Sequence, residues 1–323
     1  MSDFEPNHGR PIRIGVSACL LGHEVRYDGG HRQDPYLTDT LGRYFQWVPV
    51  CPEVEIGLST PRPTMRLETH NGDIRLMRIA ERDDLTRQMR SYCQSRVAAL
   101  AQEQLCGYVL KKNSPSCGMQ RVKVFEDCKA PRRTGRGLFA DALVTRYPNL
   151  PVEEEGRLHD PVLRDNWITR VFAFHRLQTL WSRRWSAGDL GRFHTVHRFL
   201  LMAHSPTEFR ELGRIVADAK SLGRRELRAA YENRFMAILS KRATRAKNTN
   251  VLHHLMRFFK RDLDGEAKRE LLGHVHDYRQ GIVPLVVPLT LVAHYVRLLD
   301  VDYLREQVYF SPHPKELCLR NEV

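Results

Sequence analysis

The chain has 323 residues, about twice what one domain of roughly 150 residues takes, so two domains are expected. Lys and Arg outnumber Asp and Glu by 51 to 38, a formal charge of +13, and 42% of the residues are apolar. The cationic excess points to a polyanionic partner such as nucleic acid, and less well to a membrane surface. Residues 1–10 are polar and lack a signal-peptide core. The longest apolar stretch, 282–299, is interrupted by Pro284, Pro288, His294 and Arg297, which argues against a membrane span. Seven cysteines, an odd number thinly spread, fit a cytoplasmic protein that uses them for metal or catalysis better than a disulfide framework.

The first half alternates strand and helix patterns. Residues 12–18 read as a buried strand, 38–45 as a helix and 46–50 as a strand running into Cys51. Leu85, Met89, Cys93, Val97 and Leu100 share one helical face, so a helix is expected over 83–104. A strand follows at 105–110, a loop at 111–118, a helix at 137–147 and a short strand at 150–152. This alternation predicts an α/β domain over residues 1–157 with an open, parallel, Rossmann-like sheet. The acidic run Glu153-Glu154-Glu155-Gly156 reads as the boundary.

From residue 158 to 323 the periodic segments are helical, which predicts a separate all-α domain. Helices are expected over 162–177, 191–203, 206–219, 224–239, 249–261, 265–280 and 284–299, with Pro206 and Pro284 suited to first-turn positions. Residues 201–250 carry eleven basic against five acidic side chains. Arg224, Arg225, Arg228, Arg234, Lys241, Arg242, Arg245 and Lys247 therefore stand as a candidate footprint on phosphates, with a solvated helix face as the equal alternative.

Three cysteines occupy one kind of position. Cys19 follows the first strand, Cys51 follows the second, and Cys117 lies in the loop after the strand at 105–110. In an open parallel sheet, ligand sites form beyond the carboxyl ends of the strands, so three such loops could gather three thiols. Three thiolates fall one short of a structural zinc site, and iron–sulfur clusters prefer cysteine. Three unrelated core cysteines remain the plainer alternative. Glu53 and Ser114 lie close in sequence to Cys51 and Cys117. A carboxylate there could act as a base and a hydroxyl could relay a proton, although each could equally serve its own loop.

The segments VSACLLG at 16–22, CPE at 51–53 followed by PRPTMRLE at 61–68, and SPSCG at 114–118 resemble the bacterial thiouracil desulfidase (TudS-type) family over roughly residues 10–155. FHTVHRFLLMAHS at 193–205 and the 284–295 segment resemble the helical YbgA-type domain often fused behind it, and the whole is similar to the RNA 4-thiouridine desulfidases. The resemblance implies a 4Fe-4S cluster on Cys19, Cys51 and Cys117 with one open iron, assisted by Glu53 and Ser114. It also implies desulfuration of 4-thiouridine in tRNA to uridine and sulfide, with a link to near-UV response. Desulfuration of free thiouracil or thionucleosides, and a non-catalytic iron–sulfur protein that binds RNA, are the rival readings.

Lys111, Lys112, Arg132, Arg133 and Arg136 are further candidates for phosphate contact, and with the 224–247 segment could form a basic strip. Cys93 and Cys106 read as core, and Cys128 and Cys318 have no ligand-like surroundings. His194 and His197, three apart, could share a metal but read as surface or packing residues, and Trp167, Trp181 and Trp185 read as core.

Overall fold

The computed structural model describes residues 11–126, 129–259 and 261–323. Two compact units divide the chain; one ends at His159 and the other begins at Asp160. Cys128 lies outside the described residues.

The first unit is built on two sheets. β1 (Ile12–Ser17) and β2 (Phe45–Val50) pair in parallel, with Ile12 opposite Phe45 and Ser17 opposite Val50. The helix expected at 38–45 is instead a π turn, Tyr36–Thr40, followed by a 3-10 turn, Leu41–Arg43. β2 runs into one turn of helix, α1 (Pro52–Glu55), which has proline at its first position. β3 (Met65–His70) and β4 (Asp73–Arg78) form an antiparallel hairpin. Its turn, Asn71-Gly72, has both residues at positive φ, 51° and 88°. Those are the requirements of a type I′ turn, and Asn-Gly meets them most readily.

α2 (Thr86–Ala99) is shorter than the expected 83–104 because the Asp84 carboxylate accepts the Thr86 N–H at 2.9 Å and sets the start, while a 3-10 turn at Leu100–Glu103 ends it. β5 (Gly107–Leu110) pairs in parallel with β1 on the side away from β2. β6 (Val122–Glu126) and β7 (Lys129–Gly135) form a second hairpin, α3 (Leu138–Arg146) follows, and β8 (Val152–Glu154) pairs in parallel with β5. The first sheet is therefore parallel in the order β2-β1-β5-β8, as the alternation predicted. Gly15 in β1 lets the Tyr108 ring lie against the strand, since a Cβ there would sit 2.2 Å from it. The second sheet, in the order β4-β3-β6-β7, has no counterpart in the sequence reading.

The acidic run read as the boundary lies just inside the first unit, which ends at His159. Glu153 and Glu154 are strand residues of β8 and, with Glu155, are buried.

The second unit is helical: α4 (Pro161–Ser182), α5 (Ala187–Val196), α6 (Arg198–His204), α7 (Pro206–Ala217), α8 (Arg224–Ser240), α9 (Arg245–Met256), α10 (Gly265–Gln280), α11 (Val286–Leu298) and α12 (Asp302–Arg305). Several helix starts carry side-chain caps. Asp160 accepts the Val162 and Leu163 amides at 2.9 and 3.0 Å, and Asp264 does the same for Glu266 and Ala267 at 2.9 and 2.8 Å. Ser186 and Asp189 close a reciprocal capping box on α5. The single helix expected over 191–203 is two, α5 and α6, separated at His197, whose buried ring meets the Phe193 carbonyl at 2.8 Å. Trp167, Trp181 and Trp185 are core residues, as expected. Among the described residues no helix is long and apolar enough to cross a membrane.

Candidate active site

The strand order creates the site. From β1 the chain passes first to β2 on one side and later to β5 on the other, so a crevice opens where the order reverses. Cys19, Cys51 and Cys117 all reach it. After β1 the chain tightens into a 3-10 turn, Ala18–Leu21, which carries Cys19 and closes at Gly22 with φ 91°. Cys51 precedes α1, and its amide donates to Glu55 Oε1 at 3.0 Å, so Glu53 falls in the helix's first turn.

Cys117 sits on a loop that folds around Ser114. The Ser114 hydroxyl oxygen accepts the Ser116 and Cys117 amides at 3.2 and 3.0 Å, and the Ser114 carbonyl accepts Gly118 N–H at 2.8 Å. The chain returns to this loop after the β6–β7 excursion. Gly137 N–H donates to the Gly118 carbonyl at 2.8 Å, and Phe139 N–H donates to the Ser116 carbonyl at 3.0 Å. A Cβ on Gly137 would lie 2.4 Å from the Ser116 carbonyl oxygen, so only glycine fits.

The end of β8 clamps the same loop. Glu155 accepts the Lys112 amide at 2.8 Å and forms an ion pair with the Lys111 ammonium, while Glu154 accepts the Met119 and Gln120 amides at 2.8 and 3.4 Å. Lys111 is therefore half-buried against a carboxylate rather than turned out towards a phosphate. Lys112 is exposed.

These elements enclose a cleft of about 370 Å³ lined by the three cysteines, Glu53, Ser114 and Arg62. Burial pushes the Cys19 thiol up to about 11, against a partial pull down from Lys111, and raises Cys51 as well. Burial puts Cys117 well above the ordinary thiol value, although a hydrogen bond with Ser17 works the other way. The three groups are thus neutral thiols at pH 7 until something replaces their protons.

Glu53 is the most heavily held group. Arg62 donates to its Oε2 from Nη2 at 2.6 Å and Nε at 3.2 Å. The Ser116 hydroxyl donates to Oε1 at 3.0 Å, and Ser114 reaches the same oxygen at 3.4 Å. Arg62 is itself buried and donates to the carbonyls of Val25 and Ser59 and to the Thr60 hydroxyl at 2.8, 3.2 and 3.3 Å. Neither Arg62 nor Ser116 stood out in the sequence. The signal for Arg62 is its place between Pro61 and Pro63 in the segment 61–68 that follows CPE.

Among the described residues no group of three or more His, Cys, Asp or Glu side chains converges tightly enough for one metal ion. A polynuclear cluster makes a different demand, because its thiolates bind separate irons and stand further apart. Three thiols around one cleft, Cys19 and Cys117 buried and Cys51 half-buried, with a hydroxyl and a carboxylate as the other donors, fit that demand. Cys19, Cys51 and Cys117 could hold such a group.

The remaining candidates are not among the residues that line the cleft. Cys93 and Cys106 are buried and Cys318 is exposed. Arg132 and Arg133 are exposed on β7. Arg224 and Arg228 lie over the Trp185 and Trp181 rings, 4.7 and 5.7 Å from the centroids. Lys241 pairs with Glu208 at 2.5 Å, and Lys247 Nζ donates to the carbonyls of His204 and Arg242 at 2.6 and 3.1 Å. Arg225, Arg242 and Arg245 are exposed.

The model of the 2-thiouracil desulfurase family matches residues 14–155, and that of a protein family of unknown function, DUF1722, matches residues 198–314. Uncharacterized protein YbgA of Escherichia coli (strain K12) is 32% identical over 158 residues, 49% of this chain and 94% of that protein. Uncharacterized protein YbbK of Bacillus subtilis (strain 168) is 31% identical over 111 residues, 32% of this chain and 72% of that protein. Among solved structures, the 4Fe-4S-dependent thiouracil desulfidase TudS is 30% identical, covering 46% of this chain and 94% of its own, with a TM-score of 0.38.

Proposed function

Because the chain belongs to the 2-thiouracil desulfurase family and carries a DUF1722 domain behind the family's core, we propose that it is an iron–sulfur desulfidase that converts 4-thiouridine in tRNA to uridine and sulfide. The observation that carries this reading is the gathering of Cys19, Cys51, Cys117, Glu53 and Ser114 around one cleft. Cys19, Cys51 and Cys117 would hold a 4Fe-4S cluster, which supplies a soft Lewis-acidic iron suited to a thiocarbonyl sulfur.

The protein's own groups account for the rest. The net reaction exchanges sulfur for oxygen: thiocarbonyl plus water gives carbonyl plus hydrogen sulfide, and no electrons are transferred. Glu53 takes a proton from the attacking water through Oε1, because Arg62 occupies Oε2. Ser114 accepts two amides through its oxygen, so its proton is free to turn to Glu53 Oε1 or to the bound ring, where it assists proton return to the ring nitrogen.

The excess of basic side chains supports tRNA over a free base. We assign the helical domain an RNA-binding role and the protein a cytoplasmic site of action, with no membrane partner. Because 4-thiouridine absorbs near-UV light, its removal would bear on near-UV response. Anaerobic incubation with thiolated tRNA and, in parallel, with free thiouracil tests the reading through sulfide and base analysis. Faster sulfide release from tRNA is expected. A strong preference for the free base would reassign the substrate, and an iron–sulfur protein that releases no sulfide from either would be a binder only. Affinity for tRNA should fall steeply with salt.

A further inference from the structure

The floor of the cleft serves the desulfuration reading, but its mouth carries groups that a free pyrimidine has no use for. Tyr27 lines the cleft and yet is 43% exposed. It is a held ring rather than a loose one. The Arg26 guanidinium lies 5.1 Å from its centroid and is fixed in turn by two 3.2 Å hydrogen bonds to Asp28, and the Tyr27 carbonyl accepts Arg62 N–H at 2.9 Å.

Two exposed cations share this mouth, Arg32 and Lys112. Each is tied through its backbone to an element of the site. Arg32 N–H donates to the Cys19 carbonyl at 2.8 Å, and Lys112 N–H donates to Glu155 at 2.8 Å. The Lys112 stem lies across Gly156, where a Cβ would come within 2.7 Å of it. Lys111, the more obvious cation in the sequence, is held by Glu155.

We propose that the mouth is a nucleotide subsite: Arg32 and Lys112 take the phosphates flanking the reacting nucleotide, and Tyr27 stacks on the neighbouring base. An aromatic face beside two cations matches a nucleotide unit, since every base has a π face and every linkage a charge. A neutral thiopyrimidine would gain nothing from the cations. This inference rests on the desulfidase reading for the identity of the base, and its test does not depend on turnover.

The test is calorimetric binding of three unreactive products to the intact holoprotein under anaerobic conditions: uridine, uridine 5′-monophosphate and a trinucleotide with central uridine. The monophosphate is expected to bind about tenfold tighter than uridine, from charge-assisted contacts. Arg32→Ala combined with Lys112→Ala should erase that advantage while leaving uridine affinity within about twofold. Tyr27→Ala should weaken the trinucleotide more than the monophosphate. A trinucleotide that binds tighter than the monophosphate assigns the site to an RNA strand, and equal affinities assign the phosphate contacts to a free nucleotide and overturn the stacking role of Tyr27. Equal affinity of uridine and its monophosphate, or an advantage that survives both substitutions, overturns the subsite. Absence of sulfide release from every thiolated pyrimidine would defeat the desulfidase reading and leave the binding result standing. Cluster absorbance in each variant checks that the cleft is intact.

Discussion

Arg62 and Glu53 form a buried pair in which one guanidinium claims one carboxylate oxygen, Oε2, at 2.6 Å, and leaves the other to the serines of the Cys117 loop. The carboxylate is thereby aimed as well as neutralised. Replacing the arginine should therefore damage chemistry more than cofactor retention. Arg62→Met is expected to lower kcat by about 10²–10⁴-fold, the usual weight of a positioned base. Iron content and cluster absorbance should stay near wild type. Arg62→Lys should recover only part of the loss, because an ammonium lacks the planar fork.

The buried thiols give metal loading a pH dependence of known sign. Their values are raised, Cys19 to about 11, so below that range each thiol must lose a proton to bind iron. Affinity should rise with pH by about tenfold per unit for each thiol still protonated. Reconstitution against an iron chelator at pH 7 and pH 8 checks this. Cys19→Ser, Cys51→Ser and Cys117→Ser should each reduce bound iron, and three unchanged iron contents would dismiss the assignment.

Gly137→Ala tests the joint beneath Cys117. The new methyl meets a backbone carbonyl that cannot swing aside, since Phe139 and Ala140 N–H both donate to it. A loss of about 1–3 kcal/mol is expected from overpacking, read as a lower Tm. Faster cluster loss should accompany it. Gly72→Ala, in the open β3–β4 turn, should leave the cluster alone.

Glu68 offers a stability test away from the cleft. Burial would raise its carboxyl, but Arg66, His70 and Arg82 hydrogen bonds outweigh that and hold it down at about 2. A depressed carboxylate contributes stability above its unfolded value of 4.5, and the contribution is lost as pH falls from there towards 2. Glu68→Gln should cost about 1–3 kcal/mol at pH 7, because the cations it leaves behind stay within reach of water. Urea titrations should show the gap from wild type narrowing between pH 4.5 and pH 2.

The parallel sheet was legible because β1 and β5 are buried on both faces and read as apolar runs. The second sheet was not. Arg66, Glu68, Arg75 and Arg78 break the apolar pattern of β3 and β4, and β7 is exposed along almost its whole length. Asn71-Gly72 is the local signal of the β3–β4 turn. The break at His197 has no glycine or proline to announce it; a buried ring bonded to the preceding turn separates the helices there. The cysteines could be found from their places after strands. Ser116 could not, because it meets Glu53 across 63 residues of chain and only the β-strand order brings them together.

The β6–β7 hairpin leaves from Gly118 and comes back at Gly137, and those two residues are bonded to each other. The intervening ribbon springs from a closed collar and joins the second sheet through β6, which pairs with β3. Substitutions along the exposed strand β7 would leave the collar and the thiol it carries in register. Evolution or an engineer could thus redesign that outer strand while inheriting the cysteine-bearing loop unaltered.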